Sequence, residues 1–179
     1  MPFLGVPLIQ RLRDRFQGLG DELLVITNQP EAYQFLGLPL YQDIRPGRGA
    51  LGGLLTALEV STVGNVGLVA VDMPFASPEL LAFMTKEIKR SEADAVLPSS
   101  LYGLEPMHAL YNREACLPLV RQAIENDLWR MDAWHDRANI QVIDASKTAA
   151  ASGSEHTFVN LNTSSDFSDA EELARKLDL

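Results

Sequence analysis

The chain has 179 residues, with a hydrophobic fraction of 46% and a charged fraction of 22%, which suits one soluble globular domain with a sizeable core. Its formal net charge of −9 argues against non-specific nucleic-acid binding, which depends on Lys and Arg to neutralise phosphates. No apolar stretch is long enough to cross a membrane, and the single cysteine, Cys116, excludes an internal disulfide, so we expect a cytoplasmic protein.

Helix-like and strand-like patterns alternate along the chain. Apolar residues at helical spacing predict helices over residues 7–17, 31–36, 77–90, 113–125 and 129–136. Short apolar runs predict strands over residues 23–26, 40–44, 66–72, 93–97, 140–143 and 158–163. This alternation predicts a three-layer α/β fold, in which a mostly parallel, Rossmann-like sheet carries helices on both faces. No internal boundary is visible, so residues 1–179 are expected to form a single domain.

Three further expectations concern the surface. The arginines of the first helix are expected on its solvated face. Residues 147–156, which are rich in Ala and Ser, are expected to form a mobile surface loop. A capping box, Ser168 to Glu171, is expected to begin the C-terminal helix.

Polar residues lie where the first two predicted strands end. Asn28 follows the strand that ends at Ile26, and Asp43 lies near the end of the next one. In open α/β sheets, ligands bind beyond the carboxyl ends of the strands. An Asx turn is the simpler interpretation of Asn28 when it is considered alone.

A glycine-rich segment, Arg45 to Gly53, precedes a helix. Glycines let the backbone approach a ligand closely, and the start of a helix favours an anion. Residues 47–52 also match G-x-G-x-x-G, but the residues before them are polar and contain Pro46, whereas a dinucleotide fingerprint follows a buried strand. A tight turn with close helix packing and no ligand is the alternative.

Asp72 ends the most apolar run of the chain, just before Pro74. The run predicts a strand buried on both faces, with Asp72 at its carboxyl end. The following helix has its own start signal, Ser77-Pro78-Glu79, so Asp72 is free of a capping duty. From the pattern alone, a metal-binding role and a turn role are about equally supported.

Asn160 and Asn162 lie on the same side of the last predicted strand. Two amides next to a helix start could bind a ligand, or could satisfy the backbone of a loop.

Taken in order, these segments resemble the molybdenum cofactor guanylyltransferases, the family of molybdopterin-guanine dinucleotide biosynthesis protein A. The matching segments are residues 25–28, Asp43, and residues 49–53, 69–74, 105–111 and 158–163. Each is weak alone, and the ordered set, which covers nearly the whole chain, is more specific. The resemblance implies the nucleotide-diphospho-sugar transferase-like fold, and the Gly-Ala-Leu-Gly-Gly segment points to the guanylyl branch.

The resemblance also implies a reaction, in which GMP is transferred from GTP to molybdopterin and pyrophosphate leaves. Asp72 would be the catalytic residue and the ligand of Mg²⁺. The residues implied to contact GTP are Asn28, Asp43, Gly49, Leu51, Gly52 and Asp72. Asn160 and Asn162 would face molybdopterin. Transient contact with molybdenum-cofactor enzymes or insertion proteins is implied as well.

The family's first strand and its signature loop, which supplies backbone donors and a lysine to the nucleotide phosphates, are absent from this sequence. The missing strand belongs between the strands at Leu23 and Val66. Its absence is therefore expected to lower the stability of the fold and to weaken GTP binding. We expect a start codon placed too far downstream, or a shortened clone, rather than an evolved loss.

Other functions stay open at this point. One is a related nucleotidyltransferase that uses CTP or a sugar phosphate, which nucleotide competition would distinguish. Another is a degenerate, non-catalytic family member that acts as a binding or partner protein. A dinucleotide-dependent oxidoreductase is the weakest alternative, because it rests on residues 47–52 alone.

Overall fold

The computed structural model describes residues 2–177. The strands in this range are β1 (Pro2–Phe3), β2 (Val6–Pro7), β3 (Val25–Ile26), β4 (Leu40–Tyr41), β5 (Asn65–Val69), β6 (Ala95–Ser100), β7 (Gly103–Leu104), β8 (His108–Asn112) and β9 (Ile140–Ile143). The α-helices are α1 (Leu8–Phe16), α2 (Gly49–Val60), α3 (Pro78–Ser91), α4 (Arg113–Glu125), α5 (Ala145–Ser152) and α6 (Ser164–Lys176). Short 3-10 helices cover Pro30–Leu36 and His135–Arg137. None of the helices between residues 2 and 177 combines the length and apolarity needed to span a bilayer.

The central sheet has the strand order β5-β8-β6-β7, and β9 also pairs with β6. β8 is antiparallel to both β5 and β6, whereas β9 is parallel to β6. β5, β6 and β9 therefore run in one direction, with β8 and the short β7 opposed. The α/β fold class that the sequence predicts is confirmed.

Apolar side chains form a core on each face of the sheet. The core beside α2 and α4 includes Leu51, Leu54, Leu58, Val66, Tyr111, Val120 and Trp134. The core beside α1 and α3 includes Leu12, Phe16, Met73, Leu80, Met84 and Leu110. Along β6, Ala95 and Leu97 belong to the first core and Val96 to the second, which is the alternation expected of a strand buried on both faces.

β3 and β4 form a separate parallel pair, and among residues 2–177 no ladder joins them to β5. Helix α2 packs against both β3 and β5, and Ile26 and Val66 contribute to the same core. The structure therefore has a gap between β3 and β5. Because one edge of β5 is open, this strand is less buried than its apolar sequence predicts, and Gly67 is exposed.

Two surface segments differ from their predictions. Residues Ala145–Ser152 form α5 rather than a mobile loop, because the Asp144 side chain accepts a hydrogen bond from the Lys147 N–H (2.9 Å) and Thr148 is buried. Residues 129–136 form turns that lead into a 3-10 helix, not a regular helix, and Trp134 within them is fully buried.

The C-terminal segment also differs. Residues 158–163 form no strand, because they have no ladder partner. The capping box lies at Thr163 and Asp166, each accepting a hydrogen bond from the other's backbone N–H, rather than at Ser168 to Glu171. Helix α6 therefore starts at Ser164, earlier than predicted.

Candidate active site

The polar residues that follow β3 and β4 are in contact. Asn28 Nδ2 donates to Asp43 Oδ2 (2.8 Å), and the Asp43 N–H donates to Asn28 Oδ1 (3.1 Å). Parallel pairing of β3 and β4 brings both residues to the same edge, where Asn28 is exposed and Asp43 partly buried. Asn28 thus bonds across to the neighbouring strand end, and one Asp43 oxygen remains available at an edge suited to ligand binding.

The remaining residues predicted to contact GTP lie in the first turn of α2. Gly49 has a φ of +55°, a conformation that side chains rarely adopt. Leu51 is 0% exposed, so its side chain and its backbone are both covered by the protein. A Cβ on Gly52 would lie 3.0 Å from Arg48 Cβ and 3.2 Å from the Arg45 carbonyl oxygen. Close helix packing, the alternative left open by the sequence, thus accounts for Gly52, and ligand contact by this turn stays a prediction.

Asp72 lies in the turn between β5 and α3, beyond the carboxyl end of the strand. The Ser77 side chain caps α3 by accepting from the Leu80 N–H (3.1 Å), as its sequence predicts. Asp72 Oδ1 is shielded from solvent and has no hydrogen-bond partner among residues 2–177. Since a shielded carboxylate oxygen without a donor is costly, this atom is suited to bind a cation.

The single carboxylate of Asp72 is compatible with the coordination chemistry of Mg²⁺. Within residues 2–177 there is no group of three or more His, Cys, Asp or Glu placed to hold a metal ion by themselves. Mg²⁺ often binds one or two carboxylates and completes its shell with water and substrate phosphates. One carboxylate at the end of a strand is therefore enough for such a site.

The segment that carries Asn160 and Asn162 lies against Asp72. The N–H of the residue between them, Leu161, donates to the Asp72 carbonyl oxygen (2.9 Å). Asn160 is partly buried, and its side-chain amide donates to the Phe158 carbonyl (3.2 Å). It thus satisfies the backbone of a loop, which is one of the two interpretations that the sequence leaves open. Asn162 is exposed, and its backbone N–H donates to Asp166 Oδ2 (3.0 Å). A ligand contact by either asparagine stays a prediction.

The predicted site residues therefore form two groups. Asn28 and Asp43 make one, and Asp72 with the segment from Asn160 to Asn162 makes the other. In the described part of the chain, no hydrogen bond links these two groups, and they follow strands on opposite sides of the gap between β3 and β5.

Two partly buried residues, Arg15 and Glu105, were not among the predicted site residues. The prediction that Arg15 lies on a solvated face is wrong, because its Nη1 donates to the carbonyls of Pro74 (3.1 Å) and Ala76 (3.3 Å). Glu105 is partly buried, and loss of solvent raises the pKa of its carboxyl group, which is common at functional sites. The position of Glu105 within the matching segment 105–111 was a signal for it; no local pattern reveals the contacts of Arg15.

His108 has a structural role. It is fully buried, its Nε2–H donates to the Ser77 carbonyl (3.1 Å), and its ring packs edge-on against Phe16 and Phe158. Burial lowers its pKa to about 4, so it is neutral at pH 7.

Comparison with known proteins identifies the family. Residues 1–138 match the MobA-like NTP transferase domain. The chain belongs to this family. The probable molybdenum cofactor guanylyltransferase of Carboxydothermus hydrogenoformans is 26% identical, over 93% of this chain and 83% of the relative. The protein of the same name from Chloroflexus aggregans is 35% identical, over 65% of this chain and 57% of the relative.

Solved structures show the same fold as this MobA-like NTP transferase. Molybdopterin-guanine dinucleotide biosynthesis protein A from Archaeoglobus fulgidus has a TM-score of 0.84 at 24% identity, covering 98% of this chain and 89% of that one. 2-C-methyl-D-erythritol 4-phosphate cytidylyltransferase from Thermus thermophilus has a TM-score of 0.71 at 18% identity, covering 97% and 93%. The family and the fold expected from the sequence resemblance are both confirmed.

Proposed function

We propose that this chain transfers GMP from GTP to molybdopterin and so forms molybdopterin guanine dinucleotide. A terminal phosphate oxygen of molybdopterin attacks the α-phosphorus of GTP, and the bond from that phosphorus to the oxygen of the leaving pyrophosphate breaks. Family membership and the names of the relatives support this choice of substrates. Such a transfer depends mainly on holding the reacting groups in line and on neutralising their charge.

Asp72 is the proposed ligand of Mg²⁺, and the observation that carries this role is its shielded oxygen without a partner. Mg²⁺, when bound, supplies neutralisation of the phosphate charge. The protein's own part is to hold Asp72 in the turn that follows β5, where the Leu161 N–H donates to the carbonyl of the same residue.

The two substrates are proposed to meet near Asp72. Asn28, Asp43 and the first turn of α2, with Gly49, Leu51 and Gly52, face the nucleotide. Asn160 and Asn162 face molybdopterin, because an amide offers both a donor and an acceptor to a pterin ring. Alignment of the two substrates by these groups would lower the entropic barrier to the transfer.

A cytoplasmic location and transient contact with molybdenum-cofactor enzymes or insertion proteins belong to the same proposal. The single cysteine supports the location, because a chain with one buried, free thiol has no internal disulfide. The contact is supported by the proposed product, because molybdopterin guanine dinucleotide would have to be delivered to the enzymes that use it.

The test compares Asp72→Asn with Asp169→Asn, a matched change at an exposed position of α6. Formation of molybdopterin guanine dinucleotide from GTP and molybdopterin is measured over a range of Mg²⁺ and up to millimolar GTP. We expect Asp72→Asn to slow transfer by about 100-fold or more, and Asp169→Asn to leave it unchanged. Turnover of Asp72→Asn within a few-fold of the parent chain would contradict the metal role.

A further inference from the structure

A partly buried arginine fastens the turn that carries Asp72. Arg15 lies near the end of α1, and one nitrogen of its guanidinium donates to the carbonyls of Pro74 (3.1 Å) and Ala76 (3.3 Å). These carbonyls lie on either side of Phe75, shortly after Asp72 in the chain. The contacts bridge 59 and 61 residues of sequence, so they are tertiary and not part of the local turn.

Two backbone carbonyls of this turn depend on Arg15 for their hydrogen bonds. Pro74 and Ala76 are buried, and within residues 2–177 neither carbonyl has another hydrogen-bond partner. A buried carbonyl that loses its donor is destabilising, so the segment would have to move in order to reach water. The guanidinium therefore holds both carbonyls in their present orientation.

The same turn is held at its other end by a separate contact. The Leu161 N–H donates to the Asp72 carbonyl (2.9 Å), and the Ala76 N–H closes the turn on the Met73 carbonyl (3.2 Å). Met73 and Phe16, the neighbour of Arg15 on α1, belong to the same buried core. The backbone that carries Asp72 is thus held by contacts on both sides of it.

We propose that Arg15 is a positioning residue for Asp72. It holds the turn from Pro74 to Ala76 so that the Asp72 carboxylate keeps the orientation needed to bind Mg²⁺. Arg15 itself contacts neither the metal nor a substrate in this role. One part of this proposal, metal binding by Asp72, rests on the proposed function.

The test uses Arg15→Met, which keeps an apolar stem and removes the donors, and Arg15→Lys, which keeps a charged donor. Arg13→Met is the matched control: Arg13 lies on the same helix, but it donates to the Leu36 carbonyl (3.3 Å) and pairs with Asp14, away from the turn. Two quantities are measured without nucleotide. They are the native-state exchange rates of the Leu161 and Ala76 amide hydrogens, and the affinity for Mn²⁺ by electron paramagnetic resonance.

We expect both amides to exchange about tenfold faster in Arg15→Met than in Arg13→Met, because the turn opens locally. The Kd for Mn²⁺ should rise by about tenfold in Arg15→Met and stay near the parent value in Arg13→Met, with Arg15→Lys between the two. Faster exchange with lower Mn²⁺ affinity in Arg15→Met alone would establish the positioning role.

Three other outcomes are informative. Unchanged exchange at Leu161 and Ala76 would overturn the role of Arg15 whatever the metal does. Faster exchange with unchanged Mn²⁺ affinity would overturn it too, since Arg15 would then serve stability alone. If the parent chain shows no Mn²⁺ binding that Asp72→Asn removes, the proposed metal role of Asp72 fails, while the exchange rates still decide whether Arg15 holds the turn.

Discussion

Asn28 and Asp43 hold each other across the ends of β3 and β4 through two hydrogen bonds, although they are 15 residues apart in sequence. Asn28 acts as donor in one bond and as acceptor in the other, which an ionised aspartate could not do. The pair thereby sets the direction of the Asp43 carboxylate at the edge where the nucleotide is proposed to bind.

Replacing Asn28 by Asp is expected to place two carboxylates in contact and to lower the free energy of unfolding by about 1 kcal/mol, less at high salt. The double variant Asn28→Asp with Asp43→Asn should recover most of this loss, because an amide again faces a carboxylate. Urea unfolding at low and high salt measures both effects. A double variant no more stable than the single one would show that the reciprocal bonds contribute little.

His108 should make the protein less stable in acid. Its pKa is about 4 in the folded chain against 6.5 for a free histidine, so below pH 6.5 the unfolded chain binds a proton that the folded chain does not. Stability from this group is complete above pH 6.5 and is lost as the pH falls towards 4, by about 3 kcal/mol in total.

Urea unfolding between pH 4 and pH 7 tests the role of His108. The variant His108→Gln should be less stable at pH 7 but should show a flatter dependence on pH over this range. His156→Gln, a change at a histidine that is only partly buried, is the control and should keep the slope of the parent chain. An unchanged slope in His108→Gln would rule out this histidine as the source of the acid sensitivity.

The open edge of β5 gives a prediction for individual amides. The Arg113 N–H donates to the Gly64 carbonyl (2.8 Å) and the Ala70 N–H to the Met107 carbonyl (2.9 Å), so in this antiparallel ladder the even-numbered residues 64–70 face β8. The amides of Gly67 and Val69 face the gap. They should exchange hydrogen faster than that of Leu68 by about tenfold or more, as followed by NMR. Equal protection along the whole strand would mean that the gap is closed in solution.

Local signals were sufficient for much of the fold. Ser77, Pro78 and Glu79 predict the start of α3 because capping and first-turn preferences act within a few residues. Residues 140–143 form β9 with the predicted bounds. The predictions of secondary structure are wrong where a tertiary contact determines the local conformation. Residues 158–163 alternate like a strand. Among residues 2–177, however, their one backbone hydrogen bond to the turn after β5 is from the Leu161 N–H to the Asp72 carbonyl.

In the candidate site as well, residues with a local signal could be predicted and residues that depend on tertiary contacts could not. Asn28, Asp43 and Asp72 could be found from sequence because each is a polar residue just after an apolar run. Arg15 could not, because its spacing on α1 is that of a solvated residue and its partners lie 59 and 61 residues away. Residue type and helical period carry no information on which distant carbonyls need a donor.

Gly52 and Gly53 form a matched pair for testing the start of α2. Gly52→Ala should lower the free energy of unfolding by about 1–3 kcal/mol, because the new methyl group would lie 3.0 Å from Arg48 Cβ and 3.2 Å from the backbone oxygen of Arg45. In Gly53→Ala the new methyl group meets no atom within 4 Å. This variant should raise the free energy of unfolding by about 0.5–1 kcal/mol through helix propensity. Urea unfolding of the two variants measures the difference. If both raise stability equally, the segment from Arg45 to Arg48 gives way easily, and close packing no longer explains the glycine at position 52.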